Sequence, residues 1–367
     1  MKKIYFIFFI FAFHLNLSES IDVLKEVKSY SKLMGMVRKE VVEKAMLYLP
    51  KKSDANILQM LTQMKKAKEE NSLTDVDSAY LVYKWISVNL VAKIPKGEGD
   101  PAKAYESGNG NSIGLSSLFN RMCSFLNLET DSINGYFKLL SRDSEEETKE
   151  YVEFSWNYLV IDGENYLIDV AMGSEFESSG IDTHLKDAFF GNDPEIFIRF
   201  HFPKESKWQL LPEPYTFEKF KSMAFLSPFF YHFDIKSFSP DVNKLSGSGK
   251  IIITYDESVE ITEIQAITTS KLPYITELNE VSFSNGKIEI KYNYNNENQF
   301  ITYIMVKADN FDEFIPILYY LGDHSKKSSK NLTRISTLNF NSKIGNDLKT
   351  DLFGLRKAFI KVKLFKG

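Results

Sequence analysis

Hydrophobic positions recur at helical spacing in two stretches of the first half of the chain. Thr74 and Asp77 form a capping-box signature. The apolar residues that follow every three or four positions predict an amphipathic helix ending before Pro95. The same spacing after Gly110-Asn111-Ser112 predicts a second helix that buries one side along its length. The Gly- and Pro-containing stretch 96–107 between them is interpreted as a loop.

Alternation of apolar and polar positions follows the second helix and predicts antiparallel strands. These strands are 130–140, 151–161 and 164–171, with an acidic loop at 141–150. Asp162-Gly163 joins the last two and is a strong signal for a two-residue hairpin turn. This register sets Trp156 opposite Asp169. Phe154 then lies opposite Ala171 and diagonal to Asp169, about 7 Å away or less on one face.

Short strand patterns at regular intervals characterise the last third of the chain. Residues 194–211 are interpreted as an extended segment closing a first domain, and the polar stretch 236–249 as a linker. The patterns beyond it predict a β-sandwich and lie at 251–255, 259–267, 281–283, 288–294, 300–306, 315–320 and 358–365.

Two domains are expected because single hydrophobic cores stop growing beyond about 250–300 residues. The Lys- and Glu-rich segment before the first of them predicts two or three surface helices. The predicted parts are a signal peptide at 1–20, a helical segment at 21–73, a first domain at 74–235, the linker at 236–249 and a β-rich domain at 250–367.

The beginning of the chain has the layout of a cleaved secretory signal. Lys2 and Lys3 precede an apolar run from Ile4 to Phe13. The run is shorter than the roughly 20 residues that a membrane-spanning helix needs. We therefore predict a secreted or lumenal protein without a transmembrane segment; a retained signal anchor is the alternative.

Composition excludes some classes of protein. With 43% hydrophobic and 26% charged residues the chain is globular, and its net charge of −4 indicates no nucleic-acid partner. The lone Cys123 excludes an intrachain disulfide and is assigned to the core. Asn331-Leu332-Thr333 is a glycosylation sequon and predicts a surface position if it is used.

Histidines and lysines offer further candidate sites. The four histidines beyond the signal show no metal-ligand spacing, so neither a metal nor a cofactor is predicted; they are His184, His201, His232 and His324. His201 could in principle turn toward the candidate site, but it is expected to pack at the edge of the first domain. Basic residues predominate from residue 326 onward, which could attract acidic glycans or an anionic membrane. Lysines alternate with apolar residues at 360–364, however, and we favour an edge strand protected by lysines.

Several motifs of the first domain occur together in a known family. They are Trp85-Ile86-Ser87-Val88-Asn89, Gly135-Tyr136, Tyr166-Leu167-Ile168-Asp169, His201-Phe202-Pro203 and Trp208-Gln209-Leu210-Leu211. Their order and spacing resemble the transglutaminase-like family, in its kyphoscoliosis peptidase-like branch, over most of residues 74–230. The resemblance implies an α+β, papain-like fold in which a central helix packs on an antiparallel sheet, followed by a β-rich region.

Enzymes of that family use a Cys nucleophile, a His base and an Asp that orients the His. The resemblance places these roles on Ser112, Phe154 and Asp169, so two of the three chemical groups are replaced. A serine hydroxyl needs an adjacent general base, which Phe154 cannot provide. Loss of the nucleophile or the base alone costs about 10⁶ in turnover in a protease studied in this way. Ser112 is therefore interpreted as a helix cap.

Asp169 needs a partner, since a carboxylate on an apolar face must be paired or hydrogen-bonded. The candidates are the Trp156 indole and a backbone N–H. We expect a structural role for Asp169 rather than ligand binding.

The sequence thus predicts a secreted, catalytically inactive protein that binds an extracellular protein or glycan partner. The candidates to line its binding groove are Ser112, Phe154, Trp156 and Asp169. The alternatives are a residual Ser112-dependent hydrolase or acyltransferase and a structural component of the extracellular matrix.

Overall fold

A computed structural model describes most of the chain between residues 21 and 322. The described residues are 21–22, 32–94, 96–143, 147–179, 187–227, 230, 233, 235–259, 261–270, 276–278, 280–284, 286–294, 299–308 and 315–322. Several sequence predictions lie outside them: the signal peptide, the Asn331 sequon, the basic segment from residue 326, the strand at 358–365, and His184, His232 and His324.

The helices of the described residues lie mainly in the first two thirds of the chain. They are α1 (Lys39–Met46), α2 (Ile57–Glu70), α3 (Asp75–Asn89), α4 (Pro101–Ser107), α5 (Ser112–Phe125), α6 (Val170–Ser179), α7 (Pro194–Phe197) and α8 (Phe217–Ser222).

The strands of the first 230 residues are short apart from one long hairpin. They are β1 (Ile21–Asp22), β2 (Val91–Ala92), β3 (Asn109–Gly110), β4 (Thr130–Asp143), β5 (Glu147–Ile161), β6 (Glu164–Ile168), β7 (Phe190–Asn192), β8 (His201–Pro203) and β9 (Phe225–Leu226).

The remaining strands confirm the strand patterns predicted between residues 251 and 320. They are β10 (Ile235–Ser239), β11 (Lys244–Leu245), β12 (Gly247–Tyr255), β13 (Ile261–Ser270), β14 (Thr276–Leu278), β15 (Glu280–Ser284), β16 (Lys287–Tyr294), β17 (Gln299–Ala308) and β18 (Ile315–Gly322).

The described strands form four sheets. The antiparallel sheet β7-β6-β5-β4-β8 is called the site sheet below. The C-terminal sheets are β1-β10-β12-β16-β15 and β11-β18-β17-β13-β14, with β9 beside β18; they are antiparallel except for the β11–β18 pair. Strands β2 and β3 form a small parallel pair. The fold is thus mixed α/β with several antiparallel sheets, and one hydrophobic core runs from the helices through the site sheet into the C-terminal sheets.

Local capping chemistry explains where α3 begins. Thr74 accepts a hydrogen bond from the backbone N–H of Asp77, whose carboxylate accepts from the N–H of Thr74, so the predicted capping box is confirmed. The Asp77 carboxylate is buried and also accepts from the backbone N and Nε of Arg38, each at 2.8 Å. Burial raises the pKa of Asp77, but these hydrogen bonds outweigh it and leave the pKa below its ordinary value.

The Asp162-Gly163 hairpin is also confirmed. Both turn residues have positive φ, 52° and 80°, as a type I′ turn requires. The predicted register holds from Ile161 opposite Glu164 to Asn157 opposite Ile168. Strand β6 then ends, because Asp169 caps the following helix: its Oδ1 accepts from the N–H of Met172 at 3.0 Å. The strand predicted to reach residue 171 is therefore too long, and Phe154 has no strand partner at Ala171.

Three further sequence predictions were wrong. The acidic segment 141–150 forms mostly strand, because β4 reaches Asp143 and β5 begins at Glu147; acidic composition alone does not prevent strand pairing. The stretch 96–107 contains α4, which Asp100 caps through the N–H of Lys103 at 2.9 Å. Residues 194–211 are not extended throughout, since α7, β8 and a 3₁₀ turn at Ser206–Gln209 lie there.

The stretch 236–249, interpreted as a linker, is built into the C-terminal sheets. Most of it belongs to β10, β11 and the start of β12. Its Ser, Pro and Gly content reflects turns between strands, among them Gly247 with a φ of 65°.

Candidate functional site

The N-terminus of α5 is the centre of the candidate site. Asn111, not Ser112, caps this helix: its Oδ1 accepts from the N–H of Gly114 at 3.0 Å. Ser112 is the first helical residue, and its side chain is free to face the sheet. The loop before α4 crosses this helix end, where the carbonyl of Glu98 accepts from the N–H of Asn111. A side chain at Gly114 would overlap with that carbonyl, so glycine is required for the close approach.

The Ser112 hydroxyl is bound to the edge of strand β5. Its Oγ accepts a hydrogen bond from the N–H of Ser155 at 3.2 Å, and the residue is only 3% exposed. Strand β4 pairs with β5 past this position, whereas β6 has already ended opposite Asn157. The N–H of Ser155 therefore lacks a strand partner on the β6 side, and Ser112 satisfies it.

A buried polar ladder continues this contact along α5. The hydroxyls of Ser116 and Ser155 are 3.0 Å apart, and the Asn157 amide donates to the carbonyl of Ser116 at 3.0 Å and to Oδ1 of Asn120 at 2.6 Å. Alternate residues of a strand face opposite sides of a sheet. The side chains of Ser155 and Asn157 thus face α5, and those of Phe154 and Trp156 face the other side.

The side chain of Phe154 is part of an aromatic cluster on that other side. Its ring centroid lies 4.7 Å from that of Phe137 and 5.6 Å from that of His201. Trp156 lies 5.0 Å from His201, and its indole covers Gly135, where a β-carbon would overlap with it. Phe154 and Trp156 are 2% and 0% exposed. They are core residues in this structure and do not line an open groove.

Asp169 is paired with a histidine that comes from β8. Nε2 of His201 is 2.7 Å from Oδ2 of Asp169, and both side chains are almost completely buried. The expectation that His201 packs at the domain edge is therefore wrong. The Trp156 indole is not the partner of Asp169 either, but the predicted backbone N–H is present, from Met172.

Burial is the main influence on the protonation of His201. It lowers the pKa of this imidazole below its ordinary value of 6.5. The hydrogen bond to Asp169, the negative charge of Asp169 and the nearby carbonyl of Phe197 act in the opposite direction but are weaker. The neutral imidazole, with its proton on Nε2 and directed at the carboxylate, is the form that this environment favours.

Two buried polar atoms beside the pair make no hydrogen bond of standard geometry to the described residues. They are Nδ1 of His201 and Nε1 of Trp156. Rings surround the imidazole, and Phe197 stacks on it with the centroids 3.8 Å apart. Aromatic rings therefore surround the His201 imidazole, and the carbonyl of Phe197 lies near it.

Chemically, the site contains a hydroxyl and a histidine–carboxylate pair that are hydrogen-bonded to different partners. Ser112 is hydrogen-bonded to a backbone amide on the edge of β5, and the His201–Asp169 pair lies in the aromatic cluster. Cys123, eleven residues along α5 from Ser112, is buried, and burial raises its thiol pKa well above the ordinary value.

Within the described ranges, no group of three or more His, Cys, Asp or Glu side chains could hold a metal ion. None of the helices in those ranges is long and apolar enough to cross a membrane.

Sequence reasoning brought together Ser112, Phe154 and Asp169 and missed His201. In the structure, Ser112 and Phe154 lie near the position on β5 where its pairing with β6 ends, and Asp169 directly follows β6. A signal for His201 was available, because Asp169 was recognised as a buried carboxylate in need of a donor. The strand-like segment Phe200-His201-Phe202 has its histidine between apolar residues.

Comparison with known proteins gives low-identity similarity over half of the chain. Human kyphoscoliosis peptidase is 23% identical over 193 residues, which cover 50% of this chain and 29% of the human protein. The LIM and transglutaminase domain protein ltd-1 of Caenorhabditis elegans is 25% identical over 197 residues, 49% of this chain and 27% of that protein. The chain thus has transglutaminase-like homologues and matches less than a third of their length.

Two other comparisons add little. No family model matches the chain. A crystal structure from Parabacteroides distasonis, of a protein described provisionally as a protease, aligns with 71% of this chain and 53% of its own. It has a TM-score of 0.24 and 12% identity.

Proposed function

We propose that this chain is a secreted, catalytically inactive relative of kyphoscoliosis peptidase that acts by binding an extracellular protein or glycan. The motifs shared with that family place its nucleophile, base and orienting acid at Ser112, Phe154 and Asp169. The low-identity homology to kyphoscoliosis peptidase supports the family resemblance from which this placement is taken. The proposal includes a papain-like first domain, a C-terminal β-sandwich, and secretion through the signal predicted at 1–20.

The hydrogen bond of Ser112 is the observation that carries the proposal of inactivity. A nucleophilic hydroxyl must donate its proton to a general base within about 2.6–3.2 Å. Among the described residues, the Ser112 hydroxyl accepts from the N–H of Ser155, no imidazole or carboxylate accepts its proton, and it is nearly inaccessible to solvent. The residue on β5 where the family resemblance expects a base is Phe154, which can accept no proton.

The environment of His201 supports the same conclusion. Its Nε2 is engaged by Asp169, and its ring is packed against Phe137, Trp156 and Phe197. A base must exchange protons with its substrate during turnover. Movement of this imidazole toward Ser112 would break its buried hydrogen bond to Asp169 and an aromatic stack, both of which oppose it.

Activity measurements test the proposal directly. The full chain is incubated with an amine donor and a glutamine-containing peptide, and separately with generic peptide substrates. We expect rates equal to those of a blank, both for the unmodified protein and for Ser112→Ala, with circular dichroism to show that the variant is folded. Turnover that Ser112→Ala abolishes would overturn the proposal and establish a Ser112-dependent hydrolase or acyltransferase.

Binding measurements test the second half of the proposal. The purified full chain is applied to arrays of extracellular glycans and of purified extracellular proteins, and each positive is titrated by calorimetry. We expect at least one saturable interaction. An absence of saturable binding, together with concentration-dependent self-assembly in sedimentation, would instead support a structural matrix component.

A further inference from the structure

Two buried cations connect the site sheet to the part of the chain that forms the C-terminal sheets. Arg199, between α7 and β8, has a side chain that is 7% exposed, and Lys138 on β4 is 6% exposed. Buried charges are rare and costly unless they are fully paired. Their partners therefore indicate which contacts the fold depends on.

Arg199 forms a two-pronged ion pair with Asp241, which follows β10. Nη1 and Nη2 lie 3.0 Å from Oδ1 and Oδ2, and the Asp241 side chain is 5% exposed. The guanidinium also lies over the ring of Phe238 on β10, 5.5 Å from its centroid. This geometry is the strongest form of Arg–carboxylate pairing and fixes the orientation of both groups.

Lys138 binds the C-terminal end of α8. Its Nζ donates to the carbonyls of Phe220 at 2.7 Å and Met223 at 2.5 Å. It also lies 4.8 Å from the ring centroid of Phe225, a residue of β9 that pairs with β18. A cation at this position satisfies the free carbonyls of a helix end and interacts favourably with the helix dipole.

The two contacts converge on three consecutive residues, Met223-Ala224-Phe225. The carbonyl of Met223 accepts from Lys138, and the N–H of Ala224 donates to Oδ1 of Asp241 at 3.0 Å. Phe225 then enters the C-terminal sheets as part of β9. We call this arrangement of Lys138, Arg199, Asp241 and residues 223–225 the joint.

The joint also lies beside the His201–Asp169 pair. Arg199 is two residues before His201. Lys138 follows Phe137, whose ring is 4.9 Å from that of His201, and the N–H of Lys138 donates to the carbonyl of Phe200 at 2.7 Å. A displacement of the joint would therefore move the backbone on both sides of the histidine.

We propose that the joint couples the C-terminal sheets to the site sheet, so that the two unfold as one cooperative unit and the C-terminal sheets hold His201 in place. Removal of Arg199 would leave the Asp241 carboxylate buried without its counter-charge, and removal of Lys138 would leave buried carbonyls without a donor, so both contacts are costly to break. This proposal is independent of catalysis and of any partner of the protein.

Hydrogen exchange with mass spectrometry on the full chain tests the coupling. In the unmodified protein the slowest amides of β5 and of β12 should exchange at the same rate, through one global opening. In Arg199→Met and Lys138→Met, these two rates should diverge by roughly tenfold or more. Asp241→Asn is a milder change, because it keeps the size of the side chain and an acceptor for Ala224. It should give a smaller divergence of the two exchange rates in the same direction, and it serves as the test if either methionine variant fails to fold.

Glu153→Gln is the matched control, because it removes an exposed pair with Lys204 on the same site sheet. It should leave both exchange rates within about twofold of the unmodified protein. The imidazole nitrogen chemical shifts of His201 should change in Asp241→Asn and not in Glu153→Gln. Unequal rates in the unmodified protein, equal acceleration of both sheets in the joint variants, or unchanged His201 shifts in Asp241→Asn would overturn the proposal.

Discussion

His201 and Asp169 are joined by a 2.7 Å hydrogen bond although strands β4 and β5 lie between β8 and β6 in the sheet. The pair connects the outer strand β8 to the first turn of α6, which Asp169 caps. Because both side chains are buried among aromatic rings, neither can exchange its partner for water. The stability of this part of the fold therefore depends on the protonation of one histidine.

The first prediction concerns pH. The pKa of His201 is below 6.5 in the folded protein, so at mildly acidic pH the unfolded chain binds more protons. The free energy of unfolding should therefore fall as the pH falls below 6.5, by up to about 1.4 kcal/mol per pH unit, until the folded pKa is reached. In His201→Gln, whose amide can still donate to Asp169, urea denaturation should show a flatter profile in this range.

Lys204→Gln, directly after the same strand, is the control for that experiment, since Lys204 is exposed. It should retain the slope of the unmodified protein. Equal slopes for His201→Gln and the unmodified protein would mean that His201 is not the titrating group.

The second prediction concerns the junction of Arg38 with α3. Asp77→Asn removes a buried carboxylate that accepts from Arg38 and Thr74, and should cost about 2 kcal/mol at neutral pH. The folded pKa of Asp77 is depressed below 3.8, so its contribution is present above that value and is lost as the pH falls through the folded pKa. The difference in the free energy of unfolding between Asp77→Asn and the unmodified protein should thus become smaller in acid.

Asp75→Asn in the same helical turn is the matched control. Asp75 is 65% exposed and pairs with Lys68 at the surface. It should cost less than about 0.5 kcal/mol at any pH. Chemical denaturation at a series of pH values measures the free energy of unfolding of both variants. A stability loss for Asp77→Asn that stays constant into strong acid would contradict a depressed pKa for Asp77.

The third prediction concerns the loop that crosses the start of α5. A methyl group at Gly114 would overlap with the carbonyl of Glu98, which is backbone and cannot rotate away. Gly114→Ala should therefore destabilise the protein by about 1–3 kcal/mol although alanine favours helices. Gly35→Ala, where no atom lies within 4 Å, should be close to neutral. Thermal unfolding measures both variants. Equal melting temperatures would contradict the overlap between a side chain at position 114 and the carbonyl of Glu98.

The fourth prediction tests the family positions through a thiol. In Ser112→Cys the new thiol has no base beside it and should titrate near or above about 8.5. Adding Phe154→His supplies an imidazole at the position where the family resemblance expects the base, and the thiol pKa should fall below that value. Ultraviolet absorbance of the thiolate measures both.

Cys123 does not interfere with this titration, because burial raises its thiol pKa well above the ordinary value. A thiol that titrates identically in the single and double variants would show that positions 112 and 154 are not placed as proposed.

Elements set by neighbouring residues could be predicted from the sequence. The Thr74–Asp77 capping box and the Asp162-Gly163 turn each depend on a few adjacent side chains, and both were confirmed together with the register of the hairpin. The cap of α4 also depends on adjacent residues, with Asp100 followed by Pro101. The glycines around it nevertheless led to the prediction of a loop.

Contacts between distant strands could not be predicted in the same way. His201 and Asp169 are 32 residues apart, and their meeting depends on the order of strands in the sheet, which local patterns do not specify. Arg199 and Asp241 are 42 residues apart, and Asp241 lies in the stretch interpreted as a linker. Local patterns do not predict this pairing either. A polar composition usually predicts solvent exposure. These polar side chains can be buried because each one is hydrogen-bonded or ion-paired to a partner.

The early end of β6 has a consequence for the identity of residue 112. It leaves the amide of Ser155 without a partner on the β6 side, and among the described residues the Ser112 hydroxyl of α5 accepts from it. Alanine at position 112 would orphan a buried donor at a cost of about 1–3 kcal/mol. A thiol is a weaker acceptor than a hydroxyl. An acceptor is thus needed here for folding alone, and serine meets that need independently of any chemistry at the site.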